Sequence, residues 1–369
     1  MSGRPFSAGG DVRRVCLLSG GGDAPGVKAV VRAFVHAAHR RSVEVLGSRY
    51  GFEGLLDPVG ITPITLAEVR GILPKGSCVL GCSTRINPFF LPAKTGTGTE
   101  SAGPAIVDRL RSLDVDGLVL MGGDGTMLAA RRFTALGMPC LGIPKTIDSD
   151  LADTDLSCGF HSAVYAATHA IDALHSTAEA HARVMIMEVM GRHAGFIALH
   201  AGVAGGADVI LIPELPYGIE PIVAKIRERE GLGLRFSMVV IAEGATPRGD
   251  TTASEIEGPR PGRLARLGGA GARLADELVH AELGHEIRLT VLSHLQRGGS
   301  PSALDRALGT QLGAHALDLC AAGAFGRMLS IRDGRIASVA FADGRSLHRS
   351  VDIDGPLIAS ARTIGVTFG

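Results

Sequence analysis

Val15-Cys16-Leu17-Leu18, running through Ser19 into Gly20-Gly21-Gly22-Asp23-Ala24-Pro25-Gly26, decides the fold. The apolar run reads as a buried strand. Beyond the glycines, Val27, Val30, Val31, Phe34, Val35 and Ala38 recur at helical spacing. A strand, a glycine loop and a helix start leave bare backbone N–H groups where a phosphate could lie. The loop matches neither GxGxxG nor the Walker pattern, so a plain Gly-rich turn remains an equal reading.

The same unit recurs downstream. Gly117-Leu118-Val119-Leu120-Met121 reads as a buried strand entering Gly122-Gly123-Asp124-Gly125-Thr126 and another helix start. Asp124 at the loop tip suits Mg²⁺, which takes one or two carboxylates plus phosphate oxygens. A third apolar run, Met138 to Gly142, leads into Ile143-Pro144-Lys145-Thr146-Ile147-Asp148-Ser149-Asp150. One carboxylate there can take a proton from a substrate hydroxyl while the other holds a metal or orients the first. Taken alone, such a segment is more often a polar loop than an active site. Three such segments at strand C-terminal ends converge on the crevice where open α/β sheets bind ligands.

Strands are expected at Val43 to Gly47, Arg183 to Met190, Val209 to Pro213, Met238 to Ala242 and Ile287 to Leu292. Helices are expected over Ser162 to Ala178, around Ile222 and Ile226, and over Ala265 to Leu283. Tyr50 to Gly54 reads as a turn, and Lys94 to Ser101 and Thr246 to Pro261 as surface loops. In Cys82-Ser83-Thr84-Arg85-Ile86-Asn87-Pro88 the arginine is either solvated or bound to a phosphate. Ser293 to Pro301 is a basic loop ending in an expected N-cap Ser300 with Pro301 at N1, before an apolar stripe of Leu304, Leu308, Leu312 and Leu317. The last forty residues yield no chemistry. Strands alternating with helices define an α/β, mainly parallel, doubly wound architecture.

The 369 residues suffice for two domains, and an apolar fraction of 46% supports well-buried cores. Lys plus Arg and Asp plus Glu balance at 37 each, so no global field draws nucleic acid or an anionic membrane. Six cysteines without a CxxC pair read as buried free thiols in a reducing compartment. The polar, Gly-rich first ten residues carry no apolar signal, and no run spans a bilayer. A cytoplasmic location is the expectation.

The chain resembles the 6-phosphofructokinases. GGGDAPG (Gly20 to Gly26), GGDGT (Gly122 to Thr126), PKTIDSD (Pro144 to Asp150), EVMGR (Glu188 to Arg192), AEG (Ala242 to Gly244) and HLQRGGSPSALDR (His294 to Arg306) occur in the family's order. The match extends from about Val15 to about Ala322. It implies two similar doubly wound domains: residues 1–159 plus about 296–345 for phosphoryl donor and Mg²⁺, and about 160–295 plus 346–369 for the sugar phosphate. It implies that Gly21, Arg85, Lys145 and the loop Asp124, Gly125 and Thr126 hold the donor, with Asp124 serving the metal. Asp148 would be the base for the 1-hydroxyl of fructose 6-phosphate and Asp150 its support, with Thr146, Arg192 and Gly21 completing the catalytic set. Thr146, Met190, Gly191, Arg192, Glu243, His294 and Arg297 would hold fructose 6-phosphate. Arg183 and Arg288 would reach it from a neighbouring subunit, which requires a homodimer or homotetramer.

Pyrophosphate-using relatives carry Asp after GGD, where its side chain excludes a nucleotide's α-phosphate; here Gly125 leaves room for ATP. Lys145 and the triple glycine are common in the pyrophosphate branch, and Gly125 with Lys145 resembles the mixed group that uses ATP. The chain departs from the family pattern at Lys28, Ser149, His161-Ser162 and Ser293. The rival readings are a pyrophosphate-dependent enzyme, a kinase of another sugar phosphate such as sedoheptulose 7-phosphate, and a non-catalytic paralogue that binds sugar phosphate. Retained Asp124, Asp148, Asp150 and Arg192 weigh against the last.

Overall fold

The computed structural model of the chain describes residues 12–93, 98–250, 255–257, 266–341 and 347–369. The expected loose start over residues 1–11 and parts of the two expected surface loops, 94–97 and 251–254 with 258–261, lie outside them.

Two sheets organise the described residues. The larger runs, from edge to edge, Arg335–Ala340, Arg327–Arg332, Cys140–Thr146, Gly117–Gly122, Arg14–Ser19, Glu44–Ser48 and Ile61–Pro63, with Cys158–Gly159 beside Cys140–Thr146. Its central pairs are parallel, and both edge strands are antiparallel to their neighbours. Cys16 stands beside Leu118, and Leu118 beside Cys140. The smaller sheet has the order Val209–Leu211, Ser237–Ala242, Val184–Val189, Ile287–Val291 and is parallel throughout. The central strands are continuous apolar runs because helices cover both faces of a parallel sheet.

Helix Val27–Arg40 turns Val27, Val30, Val31, Phe34 and Val35 into the core. It packs closely against helix Ala303–Ala321, where a Cβ on Gly313 would lie 2.2 Å from the Val30 carbonyl oxygen and one on Gly309 would lie 2.8 Å from that of Gly26. Only glycine permits this approach.

Several boundaries differ from expectation, each for a local reason. The helix expected over Ala265 to Leu283 is Ala270–His280, because Arg266–Leu267 pairs with Glu255–Glu257 and Gly269 adopts a left-handed conformation before the first turn. That pairing also places a short strand inside the expected Thr246 to Pro261 loop. The N-cap of the Ala303 helix is Ser302, whose hydroxyl accepts from the Asp305 N–H, rather than Ser300, which donates to the Pro74 carbonyl. Leu304 lies on the exposed side of that helix, while Leu308, Leu312 and Leu317 are buried. The expected turn at Tyr50 to Gly54 tightens into a short helix, Phe52–Leu56.

Asp305 joins the two halves of the chain. Wholly buried, it accepts hydrogen bonds from the N–H groups of Gly159 at 2.8 Å and Ser162 at 2.7 Å and from the Ser162 hydroxyl at 2.6 Å. A carboxylate at the start of helix Phe160–His181 satisfies donors that the helix itself leaves open. Asp305→Ala is expected to strand those donors and to lower unfolding stability by about 3 kcal/mol. Urea denaturation checks this; an unchanged midpoint and slope would remove Asp305 from this role.

Candidate active site

The parallel strands of both sheets aim their C-terminal ends at one cleft of about 1520 Å³. Small-molecule pockets span roughly 300–1,000 Å³, so this volume admits two substrates side by side. The larger sheet supplies Gly20, Gly21 and Gly22 after Ser19, Asp124 to Thr126 after Gly122, and Lys145 to Asp150 at the end of the third strand. The smaller supplies Met190 and Arg192, Glu243, and His294 with Arg297.

The glycine loops are locked together. The Gly20 N–H donates to the Met121 carbonyl at 2.9 Å, and the buried Thr126 side chain fills the space that a Cβ on Gly20 or Gly122 would need. Gly21 has a φ of +70°, a conformation in which a side chain is strained. Lys145, 2% exposed, donates from Nζ to the carbonyls of Gly20 at 2.7 Å and Gly22 and lies 3.4 Å from the Ser19 hydroxyl. An ammonium has three donors, and these acceptors engage all of them. Burial pulls its pKa down, opposed by the thiols of Cys82 and Cys78.

The acidic segment follows at the next turn. The Asp148 N–H donates to the Thr146 hydroxyl at 3.1 Å, and that hydroxyl lies 3.4 Å from Asp148 Oδ2. Burial raises the Asp148 pKa against the pull of Arg297, the Thr146 hydroxyl and Arg192. Asp150 is pushed up to about 6 by burial, then by the charges of Asp148 and Asp124. Glu243, across the cleft, rises to about 7 through burial and then Asp148, with Arg192 opposing. Asp124 raises Asp148 and Asp150, and Asp148 raises Asp150 and Glu243, a field that a divalent cation would relieve, so the residues fit Mg²⁺. Among the described residues no cluster of three or more ligands holds a metal by itself. That suits an ion entering on phosphate oxygens and completed by Asp124.

Two basic groups tie the cleft across. Arg297 Nη1 donates to the Asp23 carbonyl at 3.0 Å and crowds the space above Gly22. His348, from the C-terminal stretch that yields no chemistry as sequence, brings Nε2 within 3.2 Å of Asp124 Oδ2 and its ring within 5.4 Å of the His193 ring. Beside it Arg349 donates to the Ser149 carbonyl at 2.7 Å and to the Ser149 hydroxyl at 3.0 Å. Ser149 has a φ of +54°, so Arg349 holds a strained turn between the two acids. No local pattern marks either residue; pairing of Leu151 with His348 brings them in.

Not every candidate faces the cleft. Arg85 is exposed on the loop whose neighbours Ser83 and Thr84 line the wall. Gly191 acts through its backbone: its φ is +143°, a Cβ would lie 2.8 Å from the Ala194 oxygen, and its carbonyl accepts from the Gly244 N–H. Arg183 and Arg288 lie at the opposite ends of their strands and both pair with Glu286. They stand outside the cleft of their own chain.

Two doubly wound sheets that bring glycine loops and an acid pair to one cleft define an α/β fold suited to phosphoryl transfer. The sequence model of the Phosphofructokinase family matches residues 14–320. The chain is 44% identical over 359 residues to the ATP-dependent 6-phosphofructokinase of Chloroflexus aggregans, covering 97% of this chain and 98% of that one. It is 43% identical over 362 residues to a pyrophosphate–fructose 6-phosphate 1-phosphotransferase of Streptomyces coelicolor, covering 96% of this chain and all of that one. The crystal structure of Pichia pastoris phosphofructokinase superposes with a TM-score of 0.76 at 28% identity, over 90% of this chain and 35% of that much longer one. The chain belongs to the phosphofructokinase family.

The environment of Glu243 sets a pH dependence. Its folded-state pKa near 7 lies above the ordinary 4.5, so the folded protein holds this proton more tightly than the unfolded chain. The group therefore favours folding at low pH, and that contribution is lost as pH rises from about 4.5 through 7. Glu243→Gln is expected to be more stable than the parent at pH 8 by on the order of 1 kcal/mol. The advantage should shrink as pH falls toward 4.5. Denaturation midpoints at the two pH values check it; a destabilised variant at pH 8 would refute it.

Proposed function

We propose that the protein transfers the γ-phosphoryl group of ATP to the 1-hydroxyl of fructose 6-phosphate, giving fructose 1,6-bisphosphate, as a glycolytic kinase of the cytoplasm. The observation that carries the choice of donor is at Gly125. A Cβ there would meet nothing within 4 Å, so the cleft is open where an acidic side chain would exclude a nucleotide.

In-line transfer demands positioning and charge neutralisation more than covalent chemistry. Gly21 and the N-terminus of helix Asp124–Ala135 offer backbone N–H groups to the donor phosphates, with Thr126 bracing both loops. Mg²⁺, when bound through Asp124, supplies charge neutralisation on the phosphate oxygens. Asp148 accepts the proton of the 1-hydroxyl, and its raised pKa makes it a better base than a solvated aspartate. Asp150 supports it. Arg192 and Arg297 hold the sugar phosphate and balance the acids, together with Thr146, Met190, Glu243 and His294. The donor thus lies on the larger sheet and the sugar phosphate mainly on the smaller. Arg183, half-buried, and the exposed Arg288 would serve the cleft of a neighbouring copy, so the working unit is a homodimer or homotetramer.

The second reading is use of pyrophosphate, favoured by the similarity to the pyrophosphate–fructose 6-phosphate 1-phosphotransferase of Streptomyces coelicolor. Following fructose 1,6-bisphosphate with Mg²⁺ and either ATP or pyrophosphate separates the two. Turnover with ATP is expected, and turnover with pyrophosphate alone would reverse the assignment. Asp148→Ala should lower kcat by about 10³-fold or more with an unchanged circular dichroism spectrum; near-normal turnover would show that another group takes the proton. Gly125→Asp should fold, since the position is open, and raise the KM for ATP by at least about tenfold. ATP kinetics equal to the parent's would dismiss the steric account of donor choice.

A further inference from the structure

Ser149, between the two acids, is 3% exposed and left-handed at a φ of +54°. Serine rarely adopts that conformation, whereas asparagine and glycine enter it far more readily. The turn is held from 200 residues away. Half-buried Arg349 brings Nε to 3.2 Å and Nη2 to 2.7 Å from the Ser149 carbonyl oxygen, and Nη2 also donates to the Ser149 hydroxyl at 3.0 Å and to the Asp155 carbonyl at 3.1 Å. Its backbone N–H donates to the Asp150 carbonyl at 2.7 Å. One residue thus grips the peptide planes on both sides of Asp150. The arginine is itself braced: its guanidinium lies 4.6 Å over the Phe196 ring, and two residues on the Val351 N–H donates at 2.7 Å to Glu214, which also accepts from the Gly195 N–H at 3.1 Å. A planar fork that is stacked and bonded in this way has little freedom to turn aside.

We propose that Arg349 is a positioning residue for phosphoryl transfer: its guanidinium keeps Ser149 in the left-handed turn and so fixes the orientation of Asp150 relative to Asp148. Arg349 does not line the cleft, and it acts on the reaction only through the turn. The Asp148 end has a local anchor, because its N–H is bonded to the Thr146 hydroxyl. The Asp150 end depends on the clamp. Without the side chain, Ser149 relaxes toward the ordinary negative φ, and that rotation swings Asp150 away from its place beside Asp148. The residues proposed to bind the two substrates, Gly21, Arg192, Glu243 and Arg297 among them, stay where they are. The chemical step therefore suffers while binding does not. The effect on turnover rests on the proposed role of Asp148 as proton acceptor; the clamp on Ser149 does not.

The test compares the full-length parent with Arg349→Ala, Arg349→Lys, Ser149→Asn and the double variant Ser149→Asn with Arg349→Ala, by steady-state kinetics and by hydrogen exchange read with mass spectrometry. Arg349→Ala is expected to lower kcat at least about tenfold while KM for ATP and for fructose 6-phosphate stays within about twofold. Millimolar guanidinium, far below denaturing concentration, should restore part of that kcat, and Arg349→Lys, which keeps a single point donor, should fall between parent and alanine variant. Because asparagine favours the left-handed turn by itself, the double variant should turn over several-fold faster than Arg349→Ala alone, a coupling that a merely structural arginine would not produce. Exchange over residues 148–152 should quicken in Arg349→Ala while the strand Arg14–Ser19 stays as protected as in the parent. A kcat within about twofold of the parent, or a loss that neither guanidinium nor Ser149→Asn recovers, would overturn the positioning role. Exchange that quickens throughout the chain, or nowhere, would overturn the clamp. A parent protein without turnover would count against the kinase reading alone, since exchange at 148–152 still decides the clamp.

Discussion

A buried ammonium holds the donor side of the cleft in shape. Lys145 sits at the end of a central parallel strand with almost no access to water, and a charge in that position is costly unless every donor is engaged. Its partners are the carbonyls of Gly20 and Gly22 and the Ser19 hydroxyl. A glycine loop has no side chains with which to define itself, so its conformation must be imposed from outside. With the Gly20 and Gly22 carbonyls turned toward Lys145 and the Gly20 N–H held by the Met121 carbonyl, the loop has one imposed shape. Thr126 then fills the space behind Gly20 and Gly122 and fixes the second loop to the first. The spacing of the two glycine loops follows from one cation and one buried threonine.

The opposite charge problem governs the acids. Asp148, Asp150 and Glu243 all have raised pKa values, with burial the first cause in each. A folded protein that keeps such carboxyls together sacrifices stability at neutral pH, because the unfolded chain ionises them freely. The charges of Arg192 and Arg297 recover part of that loss at Asp148 and Glu243. A cation and a dianionic sugar phosphate, bound as proposed, would complete this arrangement and concentrate binding free energy where charge is transferred.

How much of this was legible in the sequence follows from how local each feature is. Val15 to Leu18, Gly117 to Met121 and Met238 to Ala242 announce themselves because a strand buried on both faces must be continuously apolar. The glycine loops and Asp148 with Asp150 were visible because their chemistry is contiguous in the chain. Boundaries failed where a tertiary contact intervened: Ser300 has the right residue type for an N-cap, but its hydroxyl serves Pro74, and Ser302 caps the helix instead. His348 and Arg349 were invisible for a stronger reason. Nothing in their surroundings repeats, and only pairing with the segment after Asp150 carries them to the cleft.

The ties across the cleft join segments far apart in the chain, and that has a mechanical consequence. Arg297, after the last strand of the smaller sheet, is bonded to the Asp23 carbonyl beside the first glycine loop. Arg349, near the C-terminus, is bonded to the Ser149 turn and stacks its guanidinium 4.6 Å over the Phe196 ring, on the first helix beyond the Arg192 loop. Each arginine therefore touches both the donor side and the sugar side. A shift of one sheet against the other must move Ser149, and with it the carboxylates on either side. Because misplacement by about 1 Å can cost about a hundredfold in rate, such ties make the proton acceptor sensitive to how the two halves sit. The acid pair is set not by its own strand alone but by the closure of the whole cleft.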